Sequence, residues 1–252
     1  MGKKLLLLHL VLYTRVWTRP SMATGTAAPS KSDGFTMVLS DSYLRLVALL
    51  LVLLNIVNST GEFILARLVT ERAAELAAAS PGFERGPYIG AFYGSYFLWV
   101  NIASVVLQAF LVSRVVKRWG FKGALLTLPI LALGAYSAAA LGAGLMAVRV
   151  IKTAENSADY SMMNTAKQML WLPTTREQKF KAKQAIDTFF VRFGDLLSAA
   201  VVFIGTTYLT LGPGGFAITN VVVVSLALVV ALRVAAAYAR LTATPAPAPT
   251  AK

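Results

Sequence analysis

LMAVRVIKTAENSADYSMMNTAKQMLWL, residues 145–172, begins and ends apolar but carries Arg149, Lys152, Glu155, Asp159 and Lys167 in between. Whether this stretch crosses a bilayer decides the topology of everything around it. A helix spanning about 30 Å of hydrocarbon at about 1.5 Å per residue needs about 20 largely apolar residues. Five other windows of that kind stand between charge clusters, at residues 43–66, 89–112, 124–143, 185–209 and 216–239. Loop charge sets the parity. Positive residues gather in Arg114, Lys117, Arg118 and Lys122, and again in Arg176, Lys179, Lys181 and Lys183. Residues 70–87 instead mix Glu71, Arg72, Glu75, Glu84 and Arg85, and residues 210–215 carry no charge. Basic loops stay on the cytoplasmic side, so both basic connections lie inside and an even number of crossings separates them. Residues 145–172 must then span, which predicts six helices with both termini cytoplasmic.

Composition agrees with a membrane chain. Of 252 residues, 57% are hydrophobic and only 14% charged, against about 25% charged in a typical soluble domain. The net charge of +13 would suggest nucleic acid for a soluble chain; here it matches cytoplasmic loops and anionic lipid, and no nucleic-acid partner is expected. With no cysteine and His9 as the lone histidine, there is no disulfide, thiol nucleophile or imidazole cluster, and no metal site is expected. No Gly-x-x-x-x-Gly-Lys-Ser/Thr loop or Gly-x-Ser-x-Gly elbow is present, so neither an enzyme nor a cofactor is expected.

The chain divides into an amino-terminal cytoplasmic segment, 1–42, a transmembrane domain, 43–241, and a tail, 242–252, whose TATPAPAPTAK reads as extended and solvated. Segment 1–42 reads as largely disordered, with a short apolar helix at 5–13. MGKKLLLLHLVLY has the shape of a signal peptide, but Arg15 and Arg19 follow where small residues would mark cleavage. Met22 and Met37 are alternative starts.

Polar groups in hydrocarbon must face protein or water, and they are unevenly distributed. In the first span Asn55, Asn58, Ser59 and Glu62 fall at i, i+3, i+4 and i+7, on one helical face. The second carries Asn101, Ser104 and Gln108 below an aromatic end. In the fourth, Lys152, Glu155, Asn156 and Asp159 repeat the spacing of the first, with Arg149 one turn earlier; the fifth holds Asp187, Arg192 and Asp195. The third and sixth are almost wholly apolar. Two inverted three-helix repeats give this order if the first helix of each lines a cavity and the third faces lipid. Glu62, Arg149, Lys152, Glu155, Asp159, Asp187, Arg192 and Asp195 are the candidate substrate or ion pathway. The alternative is a self-neutralised network that only joins helices. Asn55, Asn58, Asn101 and Asn156 are candidate cavity-lining groups or interhelical hydrogen-bond glue.

Two stretches resemble a known family. Arg114-Val-Val-Lys117-Arg118-Trp-Gly120-Phe-Lys122 looks like the basic, glycine-containing loop of the major facilitator superfamily. KTAENSADYSMMNTAKQMLWLP (152–173), followed by KFKAKQAIDTFFVRFGD (179–195), resembles that superfamily's nucleotide-exchange branch, the plastid and bacterial ATP/ADP translocases. NSTGEFILARLV at the end of the first span fits the same group. The similarity covers roughly 34–241 and implies the carboxyl-terminal six-helix half of a twelve-helix antiporter in the bacterial inner membrane, moving a polar, anionic solute by alternating access. It also implies a second six-helix half, from a homodimer or a separate chain; a truncated, inactive product or a membrane assembly subunit is the alternative. Of the residues that matter for nucleotide handling in the family, the glutamate matches Glu62. Where the family reads Gly-Lys, this chain reads Gly194-Asp195, so cations for a phosphate would come from Arg149, Lys152 and Arg192.

Overall fold

Asp41 interrupts the first helical segment and starts the next. Its carboxylate accepts from the backbone N–H groups of Tyr43 (2.8 Å) and Leu44 (3.1 Å), a helix N-cap dividing α1 (Gly34–Ser40) from α2 (Ser42–Ala79). The computed structural model describes residues 33–243; the 5–13 helix, the possible leader and most of the Ala/Pro tail lie outside them. Within 33–42, where the sequence reads as disordered, α1 is helical and packs so closely on Lys181 and Ala185 that a Cβ at Gly34 would strike the Lys181 carbonyl.

Several connections expected to be loops are helical. α2 runs 38 residues and ends at Ala79, well past the polar boundary near Ala66. Its last turns are made of alanines and short-range ion pairs, Arg67–Glu71 (2.9 Å) and Arg72–Glu75 (2.8 Å), which favour helix in water as well as in lipid. The basic stretch 114–119 is likewise helical. It begins α4 (Val112–Ala140), which follows α3 (Arg85–Val106) through a wide turn at Leu107–Leu111. The chain breaks at Gly120, whose φ of 62° and ψ of −158° are open to glycine and to little else. The second basic stretch is helical from Arg176: Gln178 N–H donates to Thr175 Oγ1 (3.3 Å) and Thr175 N–H to Gln178 Oε1 (3.0 Å), a reciprocal capping box.

The deciding stretch forms α5 (Leu145–Ala158), a wide turn at Asp159–Met163 and α6 (Asn164–Met169). α7 (Gln178–Thr207) carries wide turns at Gln178–Ala182 and Ile186–Phe190, and α8 (Pro213–Ala243) closes the fold.

Among the described residues four runs are long and apolar enough to cross a membrane: Ser42–Ala79, Arg85–Ala140, Gln178–Thr207 and Pro213–Ala243. The charged 145–169 run is not one of them. The protein is an all-α membrane protein.

The two apolar helices expected to face lipid also pack on neighbouring helices, while α8 keeps Ile218, Val222, Leu226, Val229 and Leu232 exposed along its other face. α8 lays Ala217, Asn220, Val224, Ala227, Ala231 and Val234 against α2 and α4, and α4 answers with Ala124, Leu128, Ala132 and Ala135. Apolar content does not separate a lipid face from a helix face, because lipid tails are as apolar as leucine; small residues that permit close approach do. α3, by contrast, buries only Phe92, Tyr96 and Val100, leaving Phe97, Leu98, Trp99, Ile102 and Val105 exposed.

Candidate functional site

Lys152 is 1% exposed, and everything about the site follows from how that ammonium is satisfied. α5 delivers it beside Gly61 of α2, where a Cβ would stand 3.0 Å from Lys152 Nζ and overlap the Tyr136 hydroxyl. Glycine therefore creates the space in which three helices meet. Lys152 Nζ lies 3.4 Å from Glu62 Oε1 and 3.2 Å from Glu155 Oε2, and donates to Asn58 Oδ1 at 3.2 Å.

Each carboxylate has further donors. Tyr136 Oη of α4 donates to Glu155 (2.8 and 3.1 Å to its two oxygens). Glu62 Oε1 accepts from Asn156 Nδ2 at 2.8 Å and from Tyr96 Oη of α3 at 3.4 Å, and Asn156 also reaches Tyr96 at 2.8 Å. Glu155 is buried, whereas the Glu62 side chain keeps 34% of its surface exposed. Beside the cluster, Asn220 of α8 donates to Val57 O at 3.1 Å, and its Oδ1 is the one buried side-chain polar atom without a partner among the described residues.

A cavity of about 230 Å³ adjoins this network, lined by Asn55, Asn58, Glu155, Asp159, Lys167 and Asp187 among others. Asp159 pairs with Lys167 at 3.4 Å, and Asp187 with Lys183. Both aspartates lie within wide helical turns, Asp159–Met163 and Ile186–Phe190, a local geometry that often accompanies functional positions.

A second polar group joins α2 to α7. Asn55 Nδ2 donates to Asp195 Oδ1 at 2.6 Å and to Val191 O at 2.9 Å. Gly194 makes this approach possible, since a Cβ there would stand 3.1 Å from Asn55 Nδ2 and 3.2 Å from Val52 O. Asp195 pairs with Arg192 at 3.2 Å, and one turn along Thr60 and Ser198 bond at 3.2 Å.

The expected residues are thus sorted. Glu62, Lys152, Glu155, Asn156 and Asn58 form one cluster; Asn55, Asp159 and Asp187 line the adjoining cavity. Arg149 turns away, donating to Ser95 and standing 5.0 Å over the Phe92 ring. Arg192 is 81% exposed. Asn101 bonds back to Phe97 O at 2.8 Å on the exposed face of α3, away from the cluster and the cavity beside it. Sequence reasoning left Gly61, Tyr96, Tyr136 and Asn220 out of the candidate pathway, and read Lys167 only as one of the charges of 145–172. Gly61 is adjacent to Glu62, and a glycine beside an intramembrane acid is a signal for close packing; Tyr136 and Asn220 stand alone in apolar helices and give no periodic signal.

Fold and site together define a polytopic helical membrane protein that shelters an ionic cluster and a polar cavity between its helices. Residues 132–242 match the family model of the TLC ATP/ADP transporter, a region holding Tyr136, Lys152, Glu155 and Asp195 but not α2. An ADP,ATP carrier protein 1 from Chlamydia trachomatis is 27% identical over 197 residues, covering 70% of this chain and 34% of that protein. The protein of the same name from Chlamydia muridarum is 27% identical over 201 residues, with the same shares. That of Chlamydia pneumoniae is 28% identical over 123 residues, 41% of this chain and 24% of its own. The chain spans about a third of the length of the first two relatives. No solved structure matches it.

Proposed function

We propose that this chain is one half of a carrier that moves a polar, anionic, nucleotide-like solute across a bacterial inner membrane by alternating access. The observation that carries the reading is a cavity between the helices lined by Asn55, Asn58, Glu155, Asp159, Lys167 and Asp187 together with apolar side chains, in a chain whose relatives are named as ADP,ATP carriers. Intramembrane ions are costly and persist where they serve a pathway. Nothing in the site has the layout of a hydrolytic or redox centre, and the reading is non-enzymatic.

Six crossings are part of the proposal. Arg85–Ala140 is 56 residues long, about 84 Å at about 1.5 Å per residue, more than twice the hydrocarbon thickness, and the break at Gly120 supports a reversal there. Within the 145–169 run, Lys152 and Glu155 meet Glu62, Asn58 and Tyr136 of neighbouring helices, which supports a crossing in which protein surrounds those two ions. An even count leaves both termini on one side, which the basic connections make cytoplasmic, and two inverted three-helix repeats of the major-facilitator kind are the arrangement proposed for it. A second six-helix half, a homodimeric copy or a separate chain, would supply the opposite wall of the pathway.

The test is counterflow of labelled ATP or ADP in liposomes carrying this chain alone and together with a candidate first half. Exchange that requires both halves and falls at least about tenfold in Lys152→Met, the loss of one transition-state contact worth about 1.4 kcal/mol, is expected. Exchange unchanged by Lys152→Met would falsify the pathway. One observation favours a transport-inactive assembly subunit: the acids of the candidate pathway are all paired within the chain. Absence of counterflow with every candidate half would select that reading.

A further inference from the structure

The charges in the interior do not balance one to one. Asp159 has Lys167, Asp187 has Lys183 and Asp195 has Arg192, but Glu62 and Glu155 share the single ammonium of Lys152, at 3.4 and 3.2 Å. The groups bonded to the pair are neutral, Asn58 from α2, Tyr96 from α3, Tyr136 from α4 and Asn156 from α5; Tyr93 of α3 also acts on Glu62, and across the cavity that Glu155 lines, Asp159 and Asp187 each have a lysine of their own, Lys167 and Lys183. Arg149, one turn away on α5, is committed to Ser95 and the Phe92 ring and makes no ion pair. With both acids ionised, one negative charge would remain without a counter-ion in a site where Lys152 and Glu155 are buried, a condition a protein interior does not sustain cheaply.

We infer that Glu62, Lys152 and Glu155 form a site for one exchangeable proton, shared by the two carboxylates and carried with the solute. Binding forms one O–H bond on a carboxylate oxygen and breaks one on the water-borne donor; the cluster passes from net −1 to neutral. The proton belongs to the pair, since both carboxylates stand within 3.4 Å of the one ammonium. A metal cation suits the position less well, because such ions need a shell of oxygens, whereas Glu62 Oε1 is met by Asn156 Nδ2, the Tyr96 hydroxyl and the Lys152 ammonium. The two acids differ in access: Glu155 is enclosed, while Glu62 retains 34% exposure and is the side from which a proton enters. The coupling to solute rests on the carrier reading above; the proton site itself does not.

The experiment is therefore in two arms. In the first, infrared spectra of the full chain in detergent at pH 7 are read for the deuterium-sensitive C=O stretch of a protonated carboxyl. One such group is expected in the unmodified chain, none in Glu62→Gln or in Glu155→Gln, where one acid faces one ammonium, and two in Lys152→Met. Absence of the band from the unmodified chain, or its persistence in both glutamine variants, overturns the site. Absence in the unmodified chain followed by its emergence in Arg149→Gln assigns the missing counter-charge to Arg149 instead. In the second arm, liposomes holding this chain and a partner half are given an inward proton gradient. One proton per solute raises steady-state accumulation about tenfold per pH unit, and Glu155→Gln abolishes that dependence. Accumulation indifferent to the gradient, with the infrared band present, leaves a structural proton and removes the coupling; no uptake under any condition, with the band present, removes the carrier reading and leaves the site.

Discussion

Asn55 and Asn58 lie on the same face of α2, one turn apart, and serve opposite kinds of neighbour. Asn58 holds Lys152 inside a cluster whose ammonium and Glu155 carboxylate are buried and which opens only at Glu62. Asn55 holds Asp195, whose other partner, Arg192, is 81% exposed. The buried group must find its counter-charges within the protein, so its residues depend on one another. The outer group can borrow compensation from whatever lies beyond the chain, so its parts are nearly independent. Side-chain type does not distinguish the two; access does.

The largest expected effect comes from breaking the buried group. Lys152→Met leaves two acids without their cation, and loss of one partner from a buried pair costs about 3–5 kcal/mol; thermal unfolding of the purified chain in detergent is the check, and a change below about 1 kcal/mol would show that water reaches the cluster freely. Next is Gly61→Ala, whose added methyl meets the Tyr136 hydroxyl and Lys152. Overpacking of this kind costs about 1–3 kcal/mol. Tyr136→Phe removes the obstructing oxygen, so the double variant should recover part of the loss, and additive effects in the cycle would place the two side chains apart.

The outer group should respond less. Asn55→Ala loses two hydrogen bonds, to Asp195 and Val191, each worth about 0.6 kcal/mol on average between membrane helices, and denaturant titration should register about 1 kcal/mol. Arg192→Gln is expected to change stability by less than about 0.5 kcal/mol, measured in the same titration. If Arg192→Gln proved as costly as Lys152→Met, the distinction between a buried and an open group would be lost.

Much of the cluster was legible beforehand. The matching i, i+3, i+4, i+7 patterns at 55–62 and 152–159 placed Glu62, Lys152 and Glu155 on single faces, and those faces meet. Asn101 fitted the same logic and lies outside the cluster, because a polar residue on a helix can satisfy itself on its own backbone, as it does at Phe97 O. Tyr136 and Asn220 were hidden by the apolar character of their helices, and Lys167 by the wide turn at Asp159–Met163, which alters the spacing that an α-helical count assumes. The loop expectations failed at 114–119 and 70–79 for a common reason: charge sets where a segment resides relative to lipid, while helix propensity and local ion pairs set how far the helix continues.

Sequence by itself determined that the chain is helical, lies in a membrane and carries ions where hydrocarbon would reject them, because composition and periodicity are properties of a segment alone. Only the tertiary structure decided which ions share which partners, that two acids divide one lysine, that Arg149 and Arg192 stand apart, and which faces of α4 and α8 pack on α2. Those outcomes depend on close approach at small residues such as Gly61 and Gly194, and distance between helices is not written in the spacing along any one of them.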